Sequence, residues 1–318
     1  MKFRQNLLRL LYLLLFIIFL YGLGRLYFHV TAGFTIENIS SDFTYQPDWE
    51  VKPLNESENK ELTVALAQPY FYLSKGCQSY VFISQDGQYV IKFFKYQRFR
   101  LQPWLQYFPP LPAFVAYREE KKEKKWQKLN SFIVSWKIVA EQLRDESGLV
   151  YVHLNKTTHL NKILEISDKI GMKHKLDLDQ MEFCVQRRAD MLCDVLLKYK
   201  NRQEGAKAQL LIDQLLALIL SEYARGLADN DHALMQNTGV AKDKPIHIDV
   251  GRFEVDEEMK NPAKYKQEFF TKTFRFKQWL AKHYPEMHSY LEDRLIEIIG
   301  PDYFTMQPIW FQKPERKA

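Results

Sequence analysis

The chain has 318 residues, 46% of them apolar and 26% charged, a balance that supports a buried core and excludes a disordered tail. Its formal charge of +6 is spread over 45 basic and 39 acidic residues, which argues against a nucleic-acid partner. Cys77, Cys184 and Cys193, with no C-x-x-C and no histidine cluster at ligand spacing, exclude a disulfide framework and a zinc site.

The N-terminal stretch MKFRQNLLRLLYLLLFIIFLYGLGRLYF holds an uncharged run from Leu10 to Gly24 between Arg9 and Arg25. Their long stems can snorkel, so Leu7 to Phe28 is expected to span a bilayer as a single-pass anchor over residues 1–30. A cleaved signal peptide is the competing reading, with Val30-Thr31-Ala32 as its cleavage site, but that site lies far beyond the apolar core. Lys2, Arg4 and Arg9 precede the run, while Glu37, Asp42, Asp48 and Glu50 follow Arg25. The positive-inside rule then favours a cytoplasmic N-terminus, with the folded part across the membrane.

Residues 31–59 are polar, aperiodic and broken by Pro47 and Pro53, and are expected to form a tether. Asn38, Asn55 and Asn155 stand in N-x-S/T triplets, which matter only in a secretory compartment. Residues 60–188 read as a sheet-rich unit. Asp86-Gly87 predicts a two-residue hairpin turn between strands at 79–84 and 88–96. Arg118 to Arg144 predicts one or two helices; REEKKEKKWQK within it alternates in sign like a solvated helix face. Strands are predicted at 149–154, 163–167 and 181–186, giving a mostly antiparallel sheet with an inserted helix. Residues 189–318 read as an α-helical unit, with helices at 191–199 and 206–224, Gly226 as a C-terminal stop, and further helices at 265–284 and 287–299.

Four segments carry candidate chemistry. LSKGCQSYVF, residues 73–82, places Leu73, Gly76, Val81 and Phe82 at the spacing of L-G-x-G-x-x-G-x-V-[FY], with Ser74 and Ser79 where the outer glycines stand. Small serines still allow close backbone approach. Val90-Ile91-Lys92 follows the hairpin, and strand alternation turns Val90 and Lys92 to one side, an apolar floor beside an ammonium. PIHIDVG, residues 245–251, reads as a buried strand ending in a carboxylate and a glycine turn. Upstream, LADNDHALMQN follows the long helix, with Asp231 and Asn237 within it.

From Leu73 to Gly251 these segments resemble, in order, the protein-kinase-like superfamily: the phosphate-covering loop, the V-A-I-K strand, the catalytic loop and D-F-G. The resemblance implies an α+β bilobal fold, with an antiparallel sheet lobe carrying an inserted helix and a short helical lobe. It implies ATP lying against Ser74, Gly76, Ser79, Val81, Val90 and Lys92, Mg²⁺ on Asp249 and Asn237, and Asp231 as the catalytic carboxylate beside Lys92. The implied activity is transfer of the γ-phosphate to the hydroxyl of an unknown protein or small-molecule acceptor; the alternative is a pseudokinase serving as a membrane-bound scaffold.

The chain also departs from that pattern. Asn237 follows Asp231 by six positions rather than five, so Gln236 is an alternative ligand, and Asp229 is an alternative catalytic carboxylate. Glu119, Glu120, Glu123 and Glu141 are all available to pair with Lys92, and the sequence does not choose among them. No A-P-E element or long activation segment follows Gly251, which resembles atypical and small-molecule kinases and leaves the acceptor undefined.

Overall fold

The computed structural model describes residues 2–310; Met1 and positions 311–318, at the two ends of the expected anchor and helical unit, lie outside the described residues. The first element, α1 (Lys2–Thr31), carries a mean hydropathy of 2.3 over its apolar window, none of it buried. At 1.5 Å per residue it is about 45 Å long, and it is long and apolar enough to cross a membrane.

No loose tether follows α1. Ala32 and Gly33 turn the chain at φ 58° and 72°, and Phe34 then inserts edge-on against Tyr80 at 5.2 Å, Phe82 at 5.4 Å and His174 at 5.5 Å. α2 (Ile36–Ile39) and α3 (Glu56–Leu66) lie on the same face, burying Phe34, Ile39, Leu62 and Leu66, while Trp49 joins the core on the other side. The expectation of a tether over 31–59 fails because its few apolar residues follow no period; each fills its own gap in the sheet cover. The amide of Asn155 exchanges hydrogen bonds with the Gln46 backbone at 2.9 and 3.0 Å and is buried, and Asn55 caps α3 in a capping box. Asn38 Nδ2 donates to Gly33 O at 2.9 Å, so all three triplet asparagines have structural uses.

The sheet contains β1 (Tyr70–Lys75), β2 (Ser79–Ser84), β3 (Tyr89–Phe94), β4 (Leu149–His153), β5 (Ile163–Ser167), β6 (Lys173–Asp177) and β7 (Phe183–Arg187), with α4 (Pro112–Gln142) between β3 and β4. Its order is β4-β7-β3-β2-β1-β5-β6. All pairings are antiparallel except β1 with β5. The turn at Asp86-Gly87 spans 85–88 rather than two residues, because Asp86 accepts from Ser84 Oγ at 2.6 Å and Gln88 N at 2.9 Å and holds a wider loop. β6 was unexpected: KHKLD offers one apolar residue, Leu176, and its register comes from pairing with β5.

Alternation sorts the side chains. Tyr80, Phe82, Ile91, Phe93, Phe183 and Val185 face the cover, whereas Phe94 and Cys184 face α4 through Phe132, Trp136 and Val139. The helical half follows with β8 (Asp190–Met191), α5 (Leu192–Asn201), α6 (Gly205–Ala224), β9 (Leu227–Asp229), α7 (Leu234–Asn237), β10 (Thr238–Ala241), β11 (Lys244–His247), β12 (Phe253–Val255), α8 (Pro262–His283) and α9 (Pro285–Ile299). Gly226, at φ 72°, follows the end of α6 as its glycine stop.

One buried carboxyl makes stability pH-dependent. Glu182, 1% exposed, accepts from Ser41 Oγ through one oxygen while its other oxygen has no partner. Burial raises it from 4.5 to about 7, against the smaller opposing effects of Ser41 and Lys156. The folded state therefore binds this proton more tightly than the unfolded chain. Its stabilisation is full below about pH 4.5 and is lost as the pH rises through about 7. Urea unfolding of Glu182→Gln is expected to flatten this loss, which is on the order of 3 kcal/mol; an unchanged pH profile would contradict it.

Candidate functional site

Lys92 stands in the middle of β3, paired across to Val81 on β2 and Cys184 on β7. β1 would have turned Lys75 to the same side, but the register shifts between Tyr72 and Ser74, and Leu73 is an extra residue. The bulge leaves Ser74, Val81 and Lys92 on one face of the sheet and puts Tyr72 and Lys75 on the covered one. Lys92 Nζ reaches across to the helical half and donates to the main-chain oxygen of Ile248.

The next residue, Asp249, follows β11. Its strand is held by Ile248 N donating to Asn237 O at 2.7 Å, and its carboxylate accepts from Gly251 N at 3.4 Å. Burial pushes the Asp249 carboxyl above the usual carboxylate range; Lys92 and the Gly251 N–H pull it back, and Asp231 and Asp229 push it up again. Lys92 and Asp249 therefore sit in one electrostatic neighbourhood, an ammonium from the sheet and a carboxylate from the helical half.

α4 braces this turn without supplying a carboxylate to Lys92. Ser135 Oγ donates to Val250 O and accepts from Phe253 N at 2.8 Å. Glu119 lies 3.8 Å from Lys122, Glu120 bonds Lys124, and Glu123 accepts from Gln127 at 2.9 Å, all along the outer face of α4; Glu141 is exposed.

The loop between β1 and β2 closes on itself and then onto the turn. Gly76 N donates to Ser79 O at 3.0 Å, and Lys95 Nζ donates to Gly76 O at 2.6 Å. No motif marks Lys95; its position three residues after Lys92 is the only trace in the sequence. Burial, aided by Lys75 and Arg98, pushes its ammonium down to about 8. The Gln78 side-chain amide rests against Gly251, where a Cβ would lie 1.9 Å from its Oε1, so a larger residue at 251 would displace that amide. Beside this contact opens a cavity of about 300 Å³ whose lining includes Gln78, Arg98, Lys128, Ser131 and Arg252. Burial lowers the Lys128 ammonium, and the neighbouring cations Arg98, Lys125 and Arg252 lower it further against a smaller opposing effect of Cys77.

The segment after α6 separates its carboxylates by environment. Asp229 is buried against Lys272 Nζ of α8 at 2.7 Å, their side chains 2% and 1% exposed. Asp231 is more open, 29% exposed, 3.5 Å from Arg252 Nε, and accepts from Ala233 N at 3.0 Å. His232 bonds Glu268 at 2.7 Å. Asn237 is buried and Gln236 exposed, so the residue turned inward is Asn237. Sequence reasoning passed over Lys272, although it stands three residues after Phe269 and four before Phe276, on the buried stripe of α8.

Among the described residues no group of three or more His, Cys, Asp and Glu converges as a metal cage. Mg²⁺ takes one or two carboxylates, phosphates and waters rather than a protein cage, and a half-buried Asp249 with a raised pKa is a carboxylate that a cation would stabilise. The donor types of Asp249 and Asn237 suit such an ion, and the two residues meet through the main chain, with Asp249 N 3.5 Å from Asn237 O. No protein-family model and no curated protein matches the chain, so the chemistry is read from the geometry around Lys92 and Asp249.

Proposed function

We propose that this chain is a membrane-anchored, ATP-dependent phosphotransferase of the protein-kinase-like kind, with a sheet lobe and a helical lobe closing on the nucleotide. The observation that carries the proposal is the meeting of Lys92 with the Ile248-Asp249 segment across the two halves. The insertion of α4 after β3 and the cations around the cavity beside Gly251 support it.

In this reading Ser74, Gly76, Ser79, Val81 and Val90 form the roof over the nucleotide, and Lys92 leaves Ile248 O for the phosphates. Asp249 and Asn237 would hold Mg²⁺, which supplies charge neutralisation of the phosphate oxygens. Asp231, the more open carboxylate, accepts the proton of the acceptor hydroxyl. The hydroxyl oxygen bonds to the γ-phosphorus, the bond from that phosphorus to the β–γ bridging oxygen breaks, and ADP leaves. Positioning and charge carry the rate, with no covalent protein intermediate.

Gln78 lying on Gly251 favours a second reading, a pseudokinase whose closed loop serves a membrane scaffold. The two part in one assay. With γ-labelled ATP, Mg²⁺ and a mixture of protein and small-molecule hydroxyl acceptors, the phosphotransferase moves label to an acceptor or to water, and Lys92→Met does not. Label transfer no greater than that of Lys92→Met defeats the enzymatic reading.

A further inference from the structure

The exit of α1 carries a second cluster that the phosphotransfer reading does not use. Lys75 Nζ donates to Ala32 O at 2.8 Å and lies 4.1 Å above the Phe28 ring; Lys169 Nζ donates to His29 O at 2.8 Å. Each ammonium has three N–H groups, so two on each remain for another acceptor. A cavity of about 280 Å³ opens there, bounded by Arg25, His29, Tyr72, Lys75 and Lys169, with no carboxylate in its lining. The nearest acidic side chains of β5 and its turn are engaged: Asp168 with His174 at 2.9 Å and Glu165 with Lys173 at 3.0 Å.

Beside the cavity projects the β5–β6 turn. Asp168 N bonds Met172 O at 2.9 Å and Gly171 takes φ 84°, a tight tip that presents Ile170 and Met172 at 47% and 55% exposure. Apolar tip residues next to unpaired ammonium donors, at the end of an apolar helix, match the two layers of a membrane interface, acyl boundary and phosphate. Arg25 lies about 9 Å along α1 from Thr31, a depth suited to snorkelling toward the same phosphates. The junction is stiff: Thr31 Oγ1 donates to Tyr27 O at 2.8 Å, Gly33 N donates to Thr31 Oγ1 at 3.1 Å, and Tyr80 Oη donates to Gly33 O. A helix lying in the bilayer therefore fixes where this tip sits.

We propose that the α1 exit is a binding site for the headgroup phosphate of an anionic phospholipid, with Arg25, His29, Lys75 and Lys169 around the phosphate and Ile170 and Met172 inserted beside it. The site docks the folded part on the membrane in one orientation. It rests on α1 lying in the bilayer and is independent of what the cleft catalyses.

The test uses the full chain in nanodiscs of phosphatidylcholine alone or mixed with phosphatidylglycerol. Ile170→Cys, in a Cys77→Ser, Cys193→Ser background, carries an environment-sensitive fluorophore, and lipid-borne nitroxide is the quencher. Strong quenching at position 170 is expected in the mixed discs, with the tip's partition reduced about fivefold by Lys169→Gln and about fivefold by Arg25→Gln. Equal quenching in both lipids, no quenching, or indifference to both substitutions overturns the proposal. A label at Leu15→Cys shows separately whether α1 is in the bilayer; quenching there without quenching at 170 rejects the headgroup site alone.

Discussion

Lys272→Met is expected to lower the unfolding free energy by about 3–5 kcal/mol, the cost of leaving a buried carboxylate without its partner. Asp229 has almost no access to water and its nearest cation is the Lys272 ammonium at 2.7 Å. Glu222 and Glu268 also favour the charged form of Lys272, so removing it leaves a cluster of carboxylates under the 227–233 segment. Thermal denaturation should show a fall in Tm of roughly 10 °C. Lys272→Met combined with Asp229→Asn should recover part of it, since the second change removes the stranded charge. A single variant as stable as the parent would mean that Asp229 finds water or a proton at little cost.

The second large effect concerns turnover. Asp249→Ala is expected to lower phosphate transfer by about 10²–10³-fold, the usual loss when one preorganised electrostatic group is removed from a reacting centre. Its signature is loss of transfer with the fold retained, because Asp249 makes no ion pair that anchors an element, whereas the loss in Lys272→Met comes with instability. Comparing labelled-phosphate transfer with the Tm of each variant separates the two. Transfer by Asp249→Ala within a few-fold of the parent would remove Asp249 from the reacting centre.

What could be read in advance follows a physical division. Strand alternation holds through β3, so Val90-Ile91-Lys92 was enough to put Val90 and Lys92 on one side, whereas the bulge at Leu73 in β1 left no such sign. The helices of the second half were legible from their apolar spacing, since α6 and α8 bury continuous stripes. Contacts made by single residues over long separations left no such period. Phe34 and Trp49 look like isolated apolar residues in a polar stretch, and only the folded sheet reveals the gaps they fill. Gln78 and Gly251 are distant in sequence, and their contact belongs to the closure of the loop. Charge bias along the chain was likewise incomplete: the fold brings Lys75 and Lys169 beside the exit of α1, adding basic groups to the flank that sequence counting made acidic.

Calorimetric titration of ATP into the purified chain, with and without Mg²⁺, tests most directly whether the two halves share one polyphosphate. Mg²⁺-dependent binding that is weakened in Lys92→Met, and whose Mg²⁺ dependence disappears in Asp249→Ala, is the expected result. Binding identical in all three proteins, or no heat in the parent at millimolar nucleotide, would contradict it.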